Sequence, residues 1–131
     1  MGIDEVDHNI KPIIEAMNKT GYIETISSCE GHNEDEIYDI PYVKFFCKAN
    51  CINALSIILN KVYRKFDKGY LMLHVIFDEE IAVCQLDAPT GYLCLQINFC
   101  LYAPAKIEDK LEVFKIVERE LTTVSRGRQT V

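Results

Sequence analysis

Between residues 10 and 17 the apolar side chains recur at the helix period. Ile10, Ile13, Ile14 and Met17 share one face, which predicts a helix over residues 8–19. Pro12 is tolerated only in a first turn, so Asp7 or Asn9 is expected to cap this helix and Gly21 to end it. Residues 22–27 alternate as a short strand, and residues 29–40 read as a polar, acidic loop with Gly31, Asn33 and Asp39. A second strand is expected over 41–47, with Pro41 at its first position. Asn50 is placed to cap a helix running to about Phe66, whose stripe is Ile52, Leu55, Leu59, Val62 and Phe66. Three strand-like runs follow, at 70–77, 81–86 and 92–102. The turn-like breaks Asp78-Glu79-Glu80 and Ala88-Pro89-Thr90-Gly91 suggest a meander of hairpins. Pro104 ends the last strand, and residues 106–123 form an amphipathic helix carrying Ile107, Leu111, Phe114, Val117 and Leu121.

The order α-β-β-α-β-β-β-α predicts an α+β, two-layer domain: a mostly antiparallel sheet of about five strands with helices packed on one face. Side chains alternate along a strand. Leu93, Leu95, Ile97, Phe99 and Leu101 should therefore face the core, as should Leu71, Leu73, Val75 and Phe77. The opposite face would carry Tyr92, Cys94, Gln96, Asn98, Cys100 and Tyr102, with Tyr70, Met72, His74 and Ile76. That face is semi-polar, and His74, Gln96 and Asn98 are expected near one another on it. It suits a homodimer interface or the floor of a ligand site.

At 131 residues the chain is expected to be one domain, 1–131, with a frayed tail from about 124. Hydrophobic residues make up 49% and charged residues 26%, an ordinary globular balance, and no run approaches the roughly 20 apolar residues that span a bilayer. The acidic start, MGIDEVDHNI, lacks the basic and apolar regions of a secretion signal, and Val6 stands where a myristoylation motif wants Ser or Thr. A cytoplasmic protein with no membrane partner is expected. The net charge of -6 argues against non-specific binding to duplex nucleic acid, while leaving contact through a small local patch open. Arg126-Gly127-Arg128 is the basic cluster, placed in the tail. Without an export signal, six cysteines read as reduced thiols acting as small hydrophobes. The single Cys47-x3-Cys51 unit has no second unit to complete a zinc site, and no metal is assigned.

Candidate chemistry concentrates in Ser27-Ser28-Cys29-Glu30-Gly31-His32, where a strand ends. Cys29 could be a nucleophile with His32 as its base, although Glu30 and the Glu34-Asp35-Glu36 run oppose a thiolate. Cys29-x2-His32 also supplies two metal ligands, with the acidic run and the distant His8 or His74 as further donors, short of a complete set. A third role is recognition. Ser27, Ser28, the amides around Gly31 and the His32 ring offer directed hydrogen bonds, and Gly31 lets a ligand approach the backbone. The plain alternative is a turn in which Ser28 bonds nearby backbone and Cys29 is buried. We expect small-ligand or partner recognition by Ser27, Ser28, Cys29, Glu30, Gly31 and His32, with His74 as a remote contributor. No glycine fingerprint for a nucleotide cofactor is present.

A helix ending in a Gly-Tyr turn, a strand closing in Ser27-Ser28-Cys29-x-Gly31, and a second strand opening at Pro41 resemble the tRNA wybutosine-synthesizing protein 3 family. The resemblance covers about residues 8–47 and carries over Ser27, Ser28, Cys29 and Gly31. Glu30 stands where that family has a small residue, and His32 where it has arginine. It implies that family's fold and an S-adenosylmethionine-dependent methyltransferase acting on a nucleotide or RNA base. Ser-Cys-Glu-Gly-His after such a start also looks like small bacterial and phage proteins.

Overall fold

The computed structural model describes residues 6–31, 40–69, 71–77, 91–102 and 105–129, with the side chains of 124–129 left aside. Helix α1 (Lys11–Lys19) is followed by strands β1 (Ile23–Cys29) and β2 (Tyr42–Lys48). A single 3-10 turn, Ala49–Cys51, leads into α2 (Ile52–Lys65). Then come β3 (Leu71–Phe77), β4 (Tyr92–Leu101) and α3 (Ile107–Gln129). The four strands form one antiparallel sheet in the order β1-β2-β4-β3.

The α+β class and the helix-covered sheet are as the residue pattern predicts, but the strand order departs from a simple meander. β4, the last strand, is central, and β3 pairs with it directly through Leu71↔Leu101 to Phe77↔Leu95. The fifth strand expected at 81–86 falls outside the described residues, as does Tyr70. β2 and β3 run parallel on either side of β4, connected by α2. No described helix is long and apolar enough to cross a membrane.

Burial decides the two faces. Val43, Phe45 and Cys47 of β2 meet Leu95, Ile97 and Phe99 of β4 beneath Ile13, Ile14 and Met17 of α1. Leu55, Ile58 and Val62 of α2, with Val113, Phe114, Val117 and Leu121 of α3, close the same core. Phe99 and Phe114 lock the layers edge to face, centroids 5.6 Å apart at 76°. α3 packs against both α1 and α2, so it is the middle helix of the layer. The expected core face holds for β4 and for Leu71 and Leu73, whereas Val75 and Phe77, near the end of the edge strand, are exposed.

Element ends are set by specific bonds. α1 has Pro12 in its first turn and ends at Thr20, with Gly21 at φ +84. Its N-cap is Ile10, with no side-chain cap, so neither Asp7 nor Asn9 caps the helix as expected. Both bond to Glu30 instead. The expected Asn50 cap is also replaced. The 3-10 turn takes up Ala49–Cys51, and α2 starts from Cys51 without a side-chain cap. α3 continues to Gln129, so helix occupies most of the expected tail. At its start Lys106 N–H donates to Asp109 Oδ2 at 2.8 Å, half of a capping box.

Candidate functional site

The strand β1 runs two residues further than its polar sequence suggests, through Ser28 and Cys29, because β2 offers partners. Ser27 pairs with Lys44, Ser28 with Val43 and Cys29 with Tyr42. A register shift between Thr25 and Ser27 makes Ile26 a bulge residue. Paired residues share a face. Ser28, opposite the buried Val43, therefore points into the helix layer, while Ser27 and Cys29 sit on the open face.

The turn that follows is tied to the fold at three points. Glu30 N–H donates to Asp7 Oδ2 at 3.1 Å. The Glu30 carboxylate accepts from Asn9 N–H at 3.3 Å and from Asn9 Nδ2 at 2.5 Å. Glu30 thus clamps the chain entering α1, where the helix dipole also favours a carboxylate. Gly31 is buried at φ +79, its N–H lies 3.5 Å from Cys29 Sγ, and its carbonyl accepts from Lys110 Nζ of α3 at 3.1 Å. Only glycine enters this left-handed conformation without strain. Glu30 and Gly31, read from sequence as ligand-binding residues, are thus engaged in fold contacts.

Ser28 does not make the backbone bond of the plain-turn alternative. Its Oγ is shut off from solvent and has no hydrogen-bond partner among the described residues. His32 and the Glu34-Asp35-Glu36 run lie outside the described residues, so the Cys29–His32 nucleophile and metal pairs do too. Among the described residues no group of three or more His, Cys, Asp or Glu side chains is placed to hold a metal ion. His8 is exposed in the turn before α1.

His74 shares the open face with Cys29 without touching the turn. Cys29 pairs with Tyr42, Tyr42 with Asn98, and Asn98 with His74. These four residues form one row across the whole sheet, with Cys29 and His74 at its two edges. Three strand spacings separate them, roughly 14 Å. The remote contributor is therefore an opposite end of one surface. Around it, Gln96 Nε2 donates to Asn98 Oδ1 at 2.7 Å, and Cys100 Sγ lies 3.9 Å from His74 Nδ1. The expected His74, Gln96 and Asn98 grouping is present. Lys44 Nζ stands 5.8 Å from the centre of the Tyr42 ring.

The open face also holds buried groups that alternation alone does not foresee: Phe46, Cys94 and Cys100 are buried there, apart from the main core. No disulfide joins the five described cysteines, and Cys84 lies outside the described residues. Burial pushes the Cys47 thiol up to about 11, with Cys51 adding to the effect, and burial likewise raises Cys100. Both are poor thiolates. Cys29 and Cys51 are the half-buried ones.

Sequence reasoning missed Tyr42 and Lys44. Both belong to a strand read as a structural element, and only the register with β4 sets them beside Asn98 and Gln96. Compared with family models, with curated proteins and with solved structures, the chain matches none.

Proposed function

We propose that this chain is a binding module that receives a polar ligand or partner on the open face of its sheet, beside the SSCEGH turn. The observation that supports this is the row Cys29, Tyr42, Asn98 and His74 on the face opposite the three helices. Thiol, phenol, carboxamide and imidazole lie in line, and Lys44 and Gln96 pair in the adjoining row. The Gln96–Asn98 bond fixes both amides, directing the Asn98 NH2 and the Gln96 carbonyl towards a ligand. An aromatic ring, a neighbouring cation and a donor–acceptor amide pair suit a planar polar group carrying negative charge, such as a nucleotide.

The test is a titration of isotope-labelled protein with adenosine and guanosine monophosphates and with S-adenosylmethionine, following the Gln96 and Asn98 side-chain amide signals. Binding should move those signals, and Asn98→Ala should weaken it at least tenfold. Unmoved amides with all three probes would sink the reading.

The second reading is a methyltransferase-like enzyme using S-adenosylmethionine on a nucleotide or RNA base. Its support is Ser27-Ser28-Cys29-x-Gly31 closing β1, with Cys29 on the open face and Gly31 left-handed. Native mass spectrometry of the reduced protein with S-adenosylmethionine decides it, because absence of the adduct removes this version while leaving nucleotide binding to the titration.

A further inference from the structure

The two edges of the sheet are built differently. The β1 edge carries the devices that keep a free edge from pairing. Glu24 is charged and exposed, the bulge at Ile26 breaks the register, and the Thr25 N–H is already taken by Asn18 Oδ1 at 3.0 Å. Among the described residues the β3 edge carries none of them. Its sequence, LMLHVIF, has no Asp, Glu, Lys, Arg, Pro or Gly, its register with β4 is unbroken, and no described strand pairs with its outer side.

β3 is also apolar and exposed on both faces at once. Met72 is 43% exposed and Ile76 46% on the open face, while Val75 is 41% and Phe77 59% on the helix face. A helix packed on one face would cover only one of these pairs. A strand extending the sheet covers both and pairs the outer backbone groups. Beside this edge, on the helix side, runs a groove of about 420 Å3 whose wall includes Leu59, Leu73, Val75 and Phe77, with no charged residue among the described residues that line it.

From this we infer that the outer edge of β3 pairs with β3 of a second copy of this chain, extending the four-stranded sheet across a two-fold axis. The partner strand must be uncharged and apolar on alternate residues of both faces, and β3 meets that requirement itself. Two copies each carrying -6 repel, and this uncharged strand lets them approach closely. A two-fold interface is self-complementary, and an antiparallel pair of identical strands satisfies that condition. The exposed β3 side chains supply only part of the roughly 800 Å2 that a standard interface takes from each partner. The groove wall adds to them, and dissociation is expected at roughly micromolar concentration.

Sedimentation velocity from low to high micromolar protein tests this, alongside hydrogen exchange of the β3 amides at both ends of the range. The expected result is a monomer–dimer equilibrium with β3 amides protected only in the dimer. Val75→Lys and Ile76→Lys, one on each face of the strand, should each weaken association at least tenfold with an unchanged melting curve. Tyr42→Ser on the open face should leave it intact, which separates edge pairing from packing of the sheet faces. A monomer at every concentration overturns the inference, and β3 amides protected in that monomer would mean that the chain's own residues pair with the edge. A dimer insensitive to both lysine substitutions, or a ladder of larger species, also overturns it.

Discussion

Ser28 concentrates the tension between stability and recognition in one hydroxyl. The β1–β2 register turns it into the helix layer, where its Oγ is shut off from water and unpartnered among the described residues. An unsatisfied buried hydroxyl costs about 1–3 kcal/mol. Ser28→Ala should therefore raise stability by about 1 kcal/mol in urea denaturation, and a loss of that size would show that the hydroxyl has a partner. Glu30 is the opposite case. Its carboxylate accepts two bonds from Asn9, so Glu30→Ala should cost about 1 kcal/mol and loosen the start of α1. An unchanged urea midpoint would show that the clamp is idle. Cys47 sets an alkaline limit. Its thiol is raised from 9.0 to about 11 in the folded state, so the unfolded chain loses this proton first as pH climbs. The contribution is complete below pH 9 and disappears between about pH 9 and 11. The urea midpoint should fall across that window, and less steeply in Cys47→Ala. An equal fall in both would place the cause elsewhere.

At the scale of elements, the joints carry the polar energetics. Asp109, buried at the start of α3, accepts from Lys106 N–H and pairs with Lys68 at 2.6 Å, tying α3 to the segment after α2. Glu120, also buried, pairs with Lys65 of α2. Asp109→Ala removes a cap and one of the two carboxylates beside Lys68, which keeps Glu112 at 3.5 Å, and a cost of about 1 kcal/mol is expected in urea denaturation. A cost below about 0.5 kcal/mol would show that water replaces the carboxylate freely. The helices were largely legible in the sequence because their apolar residues recur at the helix period, as Ile10, Ile13, Ile14 and Met17 do in and just before α1. The ends of the elements were less so. Ser28 and Cys29 have no strand signature, yet they extend β1 because Val43 and Tyr42 supply ladder partners. Asn50 has the chemistry of a cap, but a 3-10 turn carries the chain past it.

In the whole molecule, β2 and β4 are paired on both sides and β1 and β3 on one among the described strands. Local opening should follow that order. At low concentration, where any dimer is dissociated, amides of β2 and β4 should exchange by global unfolding and those of β1 and β3 faster. Edge strands as slow as the centre would point to cover beyond the described strands. The same arrangement puts all three described helices on one side, which leaves the Cys29-to-His74 row on the other.

The chain's own pattern determined the class, the helix stripes and the face of each β4 side chain, since periods of 3.6 and 2 are local properties of the backbone. It also marked Gly31 as a turn residue, because the left-handed conformation is a local demand. Tertiary structure alone decided that β4 is central, that Glu30 serves Asn9 and that Tyr42 and Asn98 stand between Cys29 and His74. Those relations join residues 13 to 56 positions apart, and they depend on strand order and register, which no local periodicity encodes.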